Sequence, residues 1–243
     1  MSDSSSTDTS AATPARILVI DDEPQIRRFL DISLRAQGYR VEAAGTGETG
    51  LQALAARGAD LVILDLGLPD RDGLDVLRDL RQWSKVPVIL LTVRSDEGEK
   101  VTALDAGAND YVTKPFGVQE LMARVRALLR WRAMPANTPP LFDDGKLRVD
   151  LARREVFLDG ESLQLARKEY ALLALLVQHG GRVVTQPQML RELWGQHHEQ
   201  DTHYLRVLVG KLRQKLRDDP SAPRWICTEP GVGLRFTGEW PRG

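Results

Sequence analysis

The sequence predicts two tandem domains, a doubly wound α/β domain with a five-stranded parallel sheet and a smaller domain of short strands around three helices. Three observations predict this organisation. Five alternations of an apolar strand with a helix run from residue 16 to about residue 130, a proline-rich segment covers residues 134–140, and short strands with closely spaced helices follow. A chain of 243 residues is long enough for both domains.

The strands of the first domain are short apolar runs bounded by turn residues, which is typical of parallel strands buried on both faces. They are predicted at Arg16–Ile20, Tyr39–Ala43, Asp60–Asp65, Val86–Thr92 and Asp110–Thr113. Helical patterns with glycine or proline at their ends lie at Pro24–Gln37, Glu48–Arg57, Leu74–Trp83, Glu99–Ala106 and Val118–Trp131. Because strands alternate with helices, we expect a parallel sheet with helices on both faces.

Polar side chains follow four of these strands at their carboxyl ends. Asp21 and Asp22 follow the first strand, Asp65 ends the third, Thr92 ends the fourth and Lys114 follows the fifth. Open α/β sheets bind ligands at this edge, so the five groups are expected to converge. A single Asp after a strand is usually a turn or cap residue, but the combined set favours a site.

The chemistry of this set points to phosphoryl transfer. Paired carboxylates supply the hard oxygen ligands that Mg²⁺ prefers. Mg²⁺ and Lys114 would neutralise the phosphoryl oxygens, and the Thr92 hydroxyl would hydrogen-bond to them. Asp65 is then the candidate nucleophile.

The second domain is predicted to be a winged helix-turn-helix, because strands, three helices and a glycine-rich hairpin follow one another in that order. The first strands are Leu147–Leu151 and Glu155–Leu158. The helices are Arg167–His179, Gln186–Trp194 and Thr202–Arg217, and the final strands are Trp225–Thr228 and Leu234–Phe236.

The helix Thr202–Arg217 carries the candidate DNA surface, because its leucines gather on one face and it holds five basic residues and no acidic one. Such a helix alone is more often a solvated surface, but the hairpin after it and the helix before it favour DNA. Base contacts are predicted for His203, Tyr204, Arg206 and Val207, and a close backbone approach for Gly210. Phosphate contacts are predicted for Lys211, Arg213, Lys215 and Arg217, and a minor-groove contact for Arg235.

Composition narrows the class of protein further. No apolar run approaches the length of a membrane span, and a single cysteine, Cys227, fits a reducing cytoplasm. Residues 1–15 are rich in Ser, Thr, Asp and Ala and are expected to form a disordered tail rather than a signal peptide. The expected boundaries are a tail at 1–15, the α/β domain at 16–130, a linker at 131–140 and the winged-helix domain at 141–243.

The polar set of the first domain resembles the receiver domain of bacterial two-component response regulators, which has a flavodoxin-like (CheY-like) fold. The resemblance covers nearly all of residues 16–130. It implies that Asp65 is phosphorylated by a sensor histidine kinase and that the protein is a transcription regulator rather than an enzyme. The residues that carry the resemblance are Asp21-Asp22, Asp65, Thr92 and Lys114-Pro115-Phe116.

The same resemblance implies the metal ligands and the switch residues. Mg²⁺ would be bound by Asp22, Asp65 and the Gly67 carbonyl, with Asp21 acting through water. Lys114–Pro115 would be a cis peptide, and Tyr111 would move together with Thr92 on activation. The residue after the switch hydroxyl is often small in receivers, whereas this chain has Val93, which is expected to crowd the phosphoryl group and slow its loss.

The charges of the last two receiver helices are similar to those of the OmpR and PhoB family of response regulators. Isolated surface charges are usually a solvated face, worth about 0–1 kcal/mol per pair. The family resemblance implies instead a homodimer on activation and binding to paired promoter half-sites, with RNA polymerase as a further partner. The cross-dimer pairs would be Lys100–Glu120, Asp110–Arg124 and Asp105–Arg126. Two departures from the family pattern are Asn109, often Asp, and Ala166, usually a capping Thr.

Further stretches resemble one branch of this family, the regulators of the high-affinity potassium-uptake (Kdp) operon. That resemblance implies a KdpD-like sensor kinase as phosphodonor, a kdp promoter as target and a role in potassium homeostasis. The stretches are Asp65–Asp70, Arg78–Ser84, His203–Arg206 and Leu212–Leu216.

Two other functions remain open. Haloacid-dehalogenase-type phosphatases also use an Asp nucleophile with Mg²⁺, Thr and Lys, but they need a second Asp two residues later, where this chain has Gly67. The other alternative is a winged-helix transcription factor that binds DNA without phosphorylation because its receiver is vestigial. The intact acidic set argues against it.

Overall fold

The computed structural model describes residues 14–93, 96–133, 141–195 and 202–238. Most of the tail expected at 1–15 and most of the linker expected at 131–140 lie outside these ranges. The last receiver helix runs to Ala133, past the expected end of the first domain, so the helix takes up the start of the expected linker. No helix of the described chain is long and apolar enough to cross a membrane.

The first domain is a five-stranded parallel sheet with the order β2-β1-β3-β4-β5, as the alternation of strands and helices predicts. The strands are β1 Arg16–Ile20, β2 Arg40–Ala44, β3 Leu61–Asp65, β4 Val88–Thr92 and β5 Asp110–Thr113. The helices are α1 Pro24–Ala36, α2 Gly47–Arg57, α3 Gly73–Trp83, α4 Glu97–Asp105 and α5 Val118–Ala133. The strand order reverses between β1 and β3, which places the carboxyl ends of these strands beside a crevice.

The sheet is buried on both sides, so its strands are continuous apolar runs rather than alternating ones. Every residue of β3 and of β4 is buried. One apolar cluster packs beneath α2, α3 and α4, and a second packs beneath α1 and α5. The polar residues at the ends of β3 and β4 are therefore held on a rigid edge.

The second domain has the predicted helices and hairpin, together with three short strands that the sequence reading missed. A four-stranded antiparallel sheet contains β6 Leu141–Asp143, β7 Leu147–Asp150, β8 Glu155–Leu158 and β9 Glu161–Ser162. The helices are α6 Arg167–Gln178, α7 Gln186–Trp194 and α8 Thr202–Leu216. A second antiparallel sheet, which we call the wing sheet, contains β10 Val183–Thr185, β11 Ile226–Glu229 and β12 Gly233–Phe236 in the order β10-β12-β11. Strands of two or three residues are too short to show an alternating pattern.

The start of α6 shows how the domain compensates for Ala166. This residue makes no side-chain capping hydrogen bond. Its backbone N–H instead donates to the Glu169 carboxylate at 2.7 Å, which is one half of a capping box. Lys215 donates to the same carboxylate at 2.7 Å, which ties the start of α6 to the end of α8.

The end of α8 is joined to the wing sheet by Asp218. Arg217 has a left-handed φ of 54°, and the Asp218 N–H donates to the Arg213 carbonyl at 3.0 Å, as in a Schellman motif. The buried Asp218 carboxylate accepts backbone N–H groups of Arg224 at 2.6 Å, Trp225 at 3.3 Å and Ile226 at 2.9 Å. This carboxylate therefore links the end of α8 to the first strand of the hairpin through three backbone hydrogen bonds.

Candidate functional site

Three carboxylates converge at the carboxyl edge of the receiver sheet. Asp65 ends β3, and Asp21 and Asp22 follow β1 in the neighbouring position. Each contributes an oxygen atom that lies within 4.8 Å of the others. Asp21 and Asp65 are buried while Asp22 is exposed, so the cluster opens to solvent on one side. Three hard oxygen donors at this spacing fit a small divalent cation such as Mg²⁺.

Lys114 connects these acids across the edge of the sheet. Its Nζ lies 3.0 Å from Asp21 Oδ2, 3.1 Å from Glu23 Oε1 and 3.2 Å from Asp65 Oδ1. Burial by itself lowers the pKa of Lys114, but the hydrogen bonds to Asp21 and Glu23 and the charge of Asp65 raise it above its ordinary value. Lys114 therefore stays charged beside Asp65. The peptide Lys114–Pro115 is cis, as expected.

Glu23 is a member of this cluster that the sequence reading missed. Its carboxylate accepts a hydrogen bond from Lys114, and its backbone N–H donates to Asp21 Oδ1 at 2.9 Å. The available signal was its position directly after Asp21-Asp22. A strand-end pattern does not identify Glu23, because it lies one residue beyond the Asp21-Asp22 pair.

Asp65 lies in a repulsive electrostatic environment. Burial raises the pKa of its carboxyl group, Lys114 lowers it, and the charges of Asp21 and Asp22 raise it again, with a net shift upward. A cation bound among the three carboxylates would relieve this repulsion, because opposite charge favours the ionised form. The three oxygen donors and the negative charge around Asp65 therefore both favour a bound cation.

The cleft beside Asp65 has a volume of about 490 Å³, and Thr92, Gly67 and Lys114 line it. Thr92 is buried at the end of β4, and Val93 at the mouth of the cleft is 74% exposed. The start of α3 approaches the backbone of Asp65 and Leu66 so closely that position 73 needs a glycine. A β-carbon there would overlap the Asp65 carbonyl oxygen and lie 2.7 Å from the Leu66 Cα. The cleft is therefore large enough for a phosphoryl group and rigid on one side.

The helix α8 has the burial pattern that its sequence predicts. Its leucines at 205, 208, 212 and 216 are buried, together with Val209. The exposed candidates for DNA contact are His203, Tyr204, Arg206, Val207, Gly210, Lys211 and Arg217. A β-carbon on Gly210 would meet nothing within 4 Å, which leaves open space for close approach by a ligand.

Two side chains that are predicted to contact DNA phosphates bind other groups of the winged-helix domain in this structure. Arg213 donates to the Ile226 carbonyl at 2.8 Å and to Thr228 Oγ1 at 2.9 Å. Lys215 binds the Glu169 carboxylate and donates to the Gln164 carbonyl at 3.0 Å. These contacts hold α8 against the wing sheet and α6, so both side chains have structural partners.

Arg235, for which a minor-groove contact is predicted, is held by carboxylates in this structure, and its DNA contact stays a prediction. Its side chain lies on β12, the residue is 7% exposed, and the guanidinium binds Asp110 of the receiver at 2.5 and 2.8 Å. It also binds Glu229 at 2.8 Å. In this arrangement the Arg235 side chain faces the receiver, where it binds Asp110, while Glu229 of its own wing sheet binds it from the side of the second domain.

Five of the six charged residues predicted to form a dimer face make contacts within the described part of this chain. Arg124 binds Asp110 at 3.1 Å and Glu120 at 2.7 Å. Asp105 accepts a hydrogen bond from Thr185 Oγ1 at 3.1 Å. The Lys100 Nζ lies 5.2 Å from the centre of the Tyr111 ring, and Arg126 is exposed. The cross-dimer pairing of these residues stays a prediction.

Tyr111 is buried between the two domains. Burial raises the pKa of Tyr111 to about 12, and the nearby carboxylate of Glu229, from the wing sheet, contributes in the same direction. The aromatic residue predicted to act with Thr92 therefore lies next to the second domain.

Comparisons with known proteins agree with both halves of this description. Residues 17–126 match the family model of the response regulator receiver domain, and residues 160–236 match that of the transcriptional regulatory protein C-terminal domain. The chain is 49% identical over 220 residues to the KDP operon transcriptional regulatory protein KdpE of Escherichia coli K12, covering 90% of this chain and 98% of that protein. It is 48% identical over 221 residues to KdpE of Mycobacterium tuberculosis H37Rv, with the same coverage.

A solved structure with both domains is also similar. It is the response regulator DrrB of Thermotoga maritima, an OmpR/PhoB homologue, with 34% identity and a TM-score of 0.50. The likeness covers 93% of this chain and 100% of that one.

Proposed function

Because this chain belongs to the OmpR/PhoB-type response regulators and is a DNA-binding response regulator of a two-component system, we propose that Asp65 accepts the phosphoryl group from its sensor histidine kinase. The observation that carries the proposal is the position of the Asp65 carboxylate, 3.2 Å from Lys114 and among two further acids at the edge of the sheet. Phosphorylation then promotes receiver dimerisation and transcriptional control by the winged-helix domain. The protein is a cytoplasmic regulator rather than an enzyme.

The phosphoryl step uses groups already in place. An Asp65 carboxylate oxygen attacks phosphorus while the bond to the histidine nitrogen of the kinase breaks, and the charged Lys114 stabilises the phosphoryl oxygens. The Thr92 hydroxyl hydrogen-bonds to one of these oxygens, and Tyr111 moves with it. Asp22, Asp65 and the Gly67 carbonyl, with Asp21 through water, would hold Mg²⁺, which supplies further neutralisation of charge when bound.

The residue two positions after Asp65 separates this function from a phosphatase. Gly67 carries no acid or base, and Glu23 is held by Lys114. With no general acid at position 67 for a leaving group, the site is suited to accept a phosphoryl group rather than to hydrolyse phosphoesters of other molecules.

The exposed face of α8 is the proposed DNA contact. Arg206 and Val207, with His203 and Tyr204 near the start of the helix, would read base edges, and Lys211 and Arg217 would contact phosphates. Intramolecular partners hold the side chains of Arg213 and Lys215, so Lys211 and Arg217 are the exposed candidates for phosphate contact, and the contacts of Arg213 and Lys215 stay predictions. Two such helices in a dimer would bind paired half-sites, with RNA polymerase recruited at the promoter.

The relatives point to the target. Two KdpE proteins are 48–49% identical to this chain over 90% of its length. We therefore propose a kdp promoter as the DNA target and a KdpD-like kinase as the phosphodonor.

Footprinting on a kdp promoter fragment, with and without acetyl phosphate, tests the function. We expect protection of paired half-sites at a lower protein concentration after phosphorylation. Acetyl phosphate that failed to modify Asp65, with an unchanged footprint, would instead support a winged-helix factor with a vestigial receiver.

Val93 is expected to prolong the phosphorylated state, because its exposed side chain lies at the mouth of the cleft and limits approach of water. The Val93→Ala protein should lose its phosphoryl group faster than the wild type. The measurement is the decay of phosphorylated protein on phosphate-affinity gels. Ile32→Ala, an equally apolar exposed change on α1, should leave the lifetime unchanged, and equal lifetimes for Val93→Ala and wild type would reject the role.

Lys211 is expected to contact phosphate whereas Lys215 stabilises the domain. Lys211→Ala should weaken binding to all DNA sequences alike and lower the slope of log affinity against log salt by roughly one. Lys215→Ala should lower the melting temperature with a smaller change in salt slope. Anisotropy titrations at several salt concentrations distinguish them, and a loss at Lys211 confined to one DNA sequence would contradict a phosphate contact.

A further inference from the structure

The wing sheet covers the receiver face formed by α4, β5 and α5. Arg235 on β12 binds Asp110 at the start of β5 with both guanidinium nitrogens, at 2.5 and 2.8 Å. Thr185 on β10 donates to Asp105 at the end of α4 at 3.1 Å. The contact therefore reaches two neighbouring elements of the receiver, and it uses residues that the dimer would need.

Apolar packing accompanies these polar contacts. Val183 on β10 and Val232 in the hairpin turn are both buried and belong to the same apolar cluster as the receiver helices α2, α3 and α4. A β-carbon on Gly181, next to β10, would lie 3.0 Å from the Ala127 side chain on α5. Such close approach excludes water from the contact, which strengthens the charge interactions within it.

The charges at the contact alternate across the domain boundary. Asp110, which is 1% exposed, lies between Arg124 of its own domain and Arg235 of the wing sheet. Glu229 of the wing sheet lies 2.8 Å from Arg235 and 3.8 Å from Arg124. Removing one member would leave another buried charge with fewer partners, which is strongly unfavourable.

We propose that the Arg235–Asp110 pair is an intramolecular lock, in which the protein's own wing sheet occupies the α4–β5–α5 face and excludes a second receiver from it. This inference rests on the receiver dimerisation proposed above, and it adds a way in which that dimerisation is regulated. Opening frees Asp110 and Arg124 for a partner subunit and at the same time frees Arg235 and the hairpin for DNA. The outer face of α8 is exposed even in the closed arrangement, so closure restrains the dimer and the wing rather than the recognition helix.

The lock has a quantitative consequence. Both protomers of a dimer must be open, so the apparent dissociation constant of the dimer equals the intrinsic constant divided by the square of the fraction of open protein. A change that favours opening should therefore tighten dimerisation without phosphorylation. Because the prediction concerns unphosphorylated protein, its failure is distinguishable from a failure of Asp65 to accept phosphate.

The first test replaces Arg235 by Gln in the full-length protein and measures dimerisation by sedimentation without any phosphodonor. We expect the dissociation constant of the Arg235→Gln dimer to fall at least about tenfold, given the loss of a buried charge pair. Arg153→Gln, an exposed change in the same domain, should behave as the wild type. An Arg235→Gln protein that is folded by circular dichroism and dimerises no better than wild type overturns the lock.

The second test fixes the closed arrangement with a disulfide. A β-carbon on Gly231 in the hairpin would overlap the Glu97 carboxylate, so cysteines at the two positions have β-carbons within about 4.5 Å, the separation a disulfide spans. Glu97→Cys and Gly231→Cys are combined with Cys227→Ser, which removes the one native cysteine. The reduced protein serves as reference, since φ at position 231 is +69° and strains a cysteine.

We expect the oxidised protein to form an intrachain disulfide as a monomer on non-reducing gels. Adding Arg235→Gln should give a protein that dimerises when reduced and stays monomeric when oxidised. Failure of the monomer to form the disulfide, or equal dimerisation of the oxidised and reduced proteins, would show that the wing sheet does not exclude a second receiver.

Discussion

Asp65→Asn should abolish phosphorylation of the protein and, with it, the gain in DNA affinity that phosphorylation produces. The amide is nearly the same size as the carboxylate but is not a nucleophile, and it removes one negative charge from the acidic cluster. Lys114 retains Asp21 and Glu23 as partners, so the receiver should remain folded. Phosphate-affinity gels after treatment with acetyl phosphate measure the first effect, and anisotropy on kdp promoter DNA measures the second.

Asp31→Asn is the matched control, because it makes the same chemical change at an exposed carboxylate of α1 that binds only Arg35 among the contacts of the described chain. It should be phosphorylated like the wild type and should gain the same DNA affinity. Persistent labelling of the Asp65→Asn protein would place the phosphoryl group elsewhere and would contradict the assignment of Asp65.

Asp218→Ala should destabilise the winged-helix domain more than any other single change considered above. The substitution leaves three backbone N–H groups without their acceptor, those of the buried Trp225 and Ile226 and that of Arg224. Losing hydrogen bonds to a buried carboxylate should cost about 3–5 kcal/mol in the free energy of unfolding. For a domain of roughly 100 residues, that corresponds to a melting temperature lower by about 15 °C or more.

Calorimetry of the full-length protein should separate the unfolding transition of the winged-helix domain from that of the receiver. We expect the receiver transition to change little. Asp219→Ala is the neighbouring control, because that carboxylate is exposed and accepts hydrogen bonds only from Ser221 among the described contacts. DNA binding by Asp218→Ala should fall in parallel with unfolding of the winged-helix domain. A wild-type melting temperature for Asp218→Ala would show that the hairpin is held by other contacts.

The receiver and its acidic edge were predictable because their signals are local. Strands buried on both faces must be apolar throughout, so a carboxylate, a hydroxyl or an amine directly after them marks the strand end. Asp65, Thr92 and Lys114 could therefore be assigned to one edge of a sheet before any coordinates were known. The set of residues predicted from the sequence lacks Glu23, because this residue lies one position beyond the strand-end pattern.

The recognition helix was predictable only in part. Its apolar face follows from helical periodicity, but the partner of a long basic side chain does not. Arg213, Lys215 and Arg235 carry the same charge as Arg206 and Lys211, and composition cannot distinguish them. Tertiary contacts distinguish them: Arg213 binds the Ile226 carbonyl and Lys215 binds Glu169. Arg235 binds Asp110, which lies 125 residues before it in the chain.

The amino-acid sequence by itself determined the two folds, the acidic edge and the polarity of α8, since each follows from periodicity within a few residues. The tertiary structure alone decided which charges remain available to a partner. A buried ion pair requires two groups to be brought together out of water, and only the packing of the wing sheet on the receiver brings Arg235 to Asp110. The same packing engages Arg235, a predicted DNA contact, in a contact between the domains.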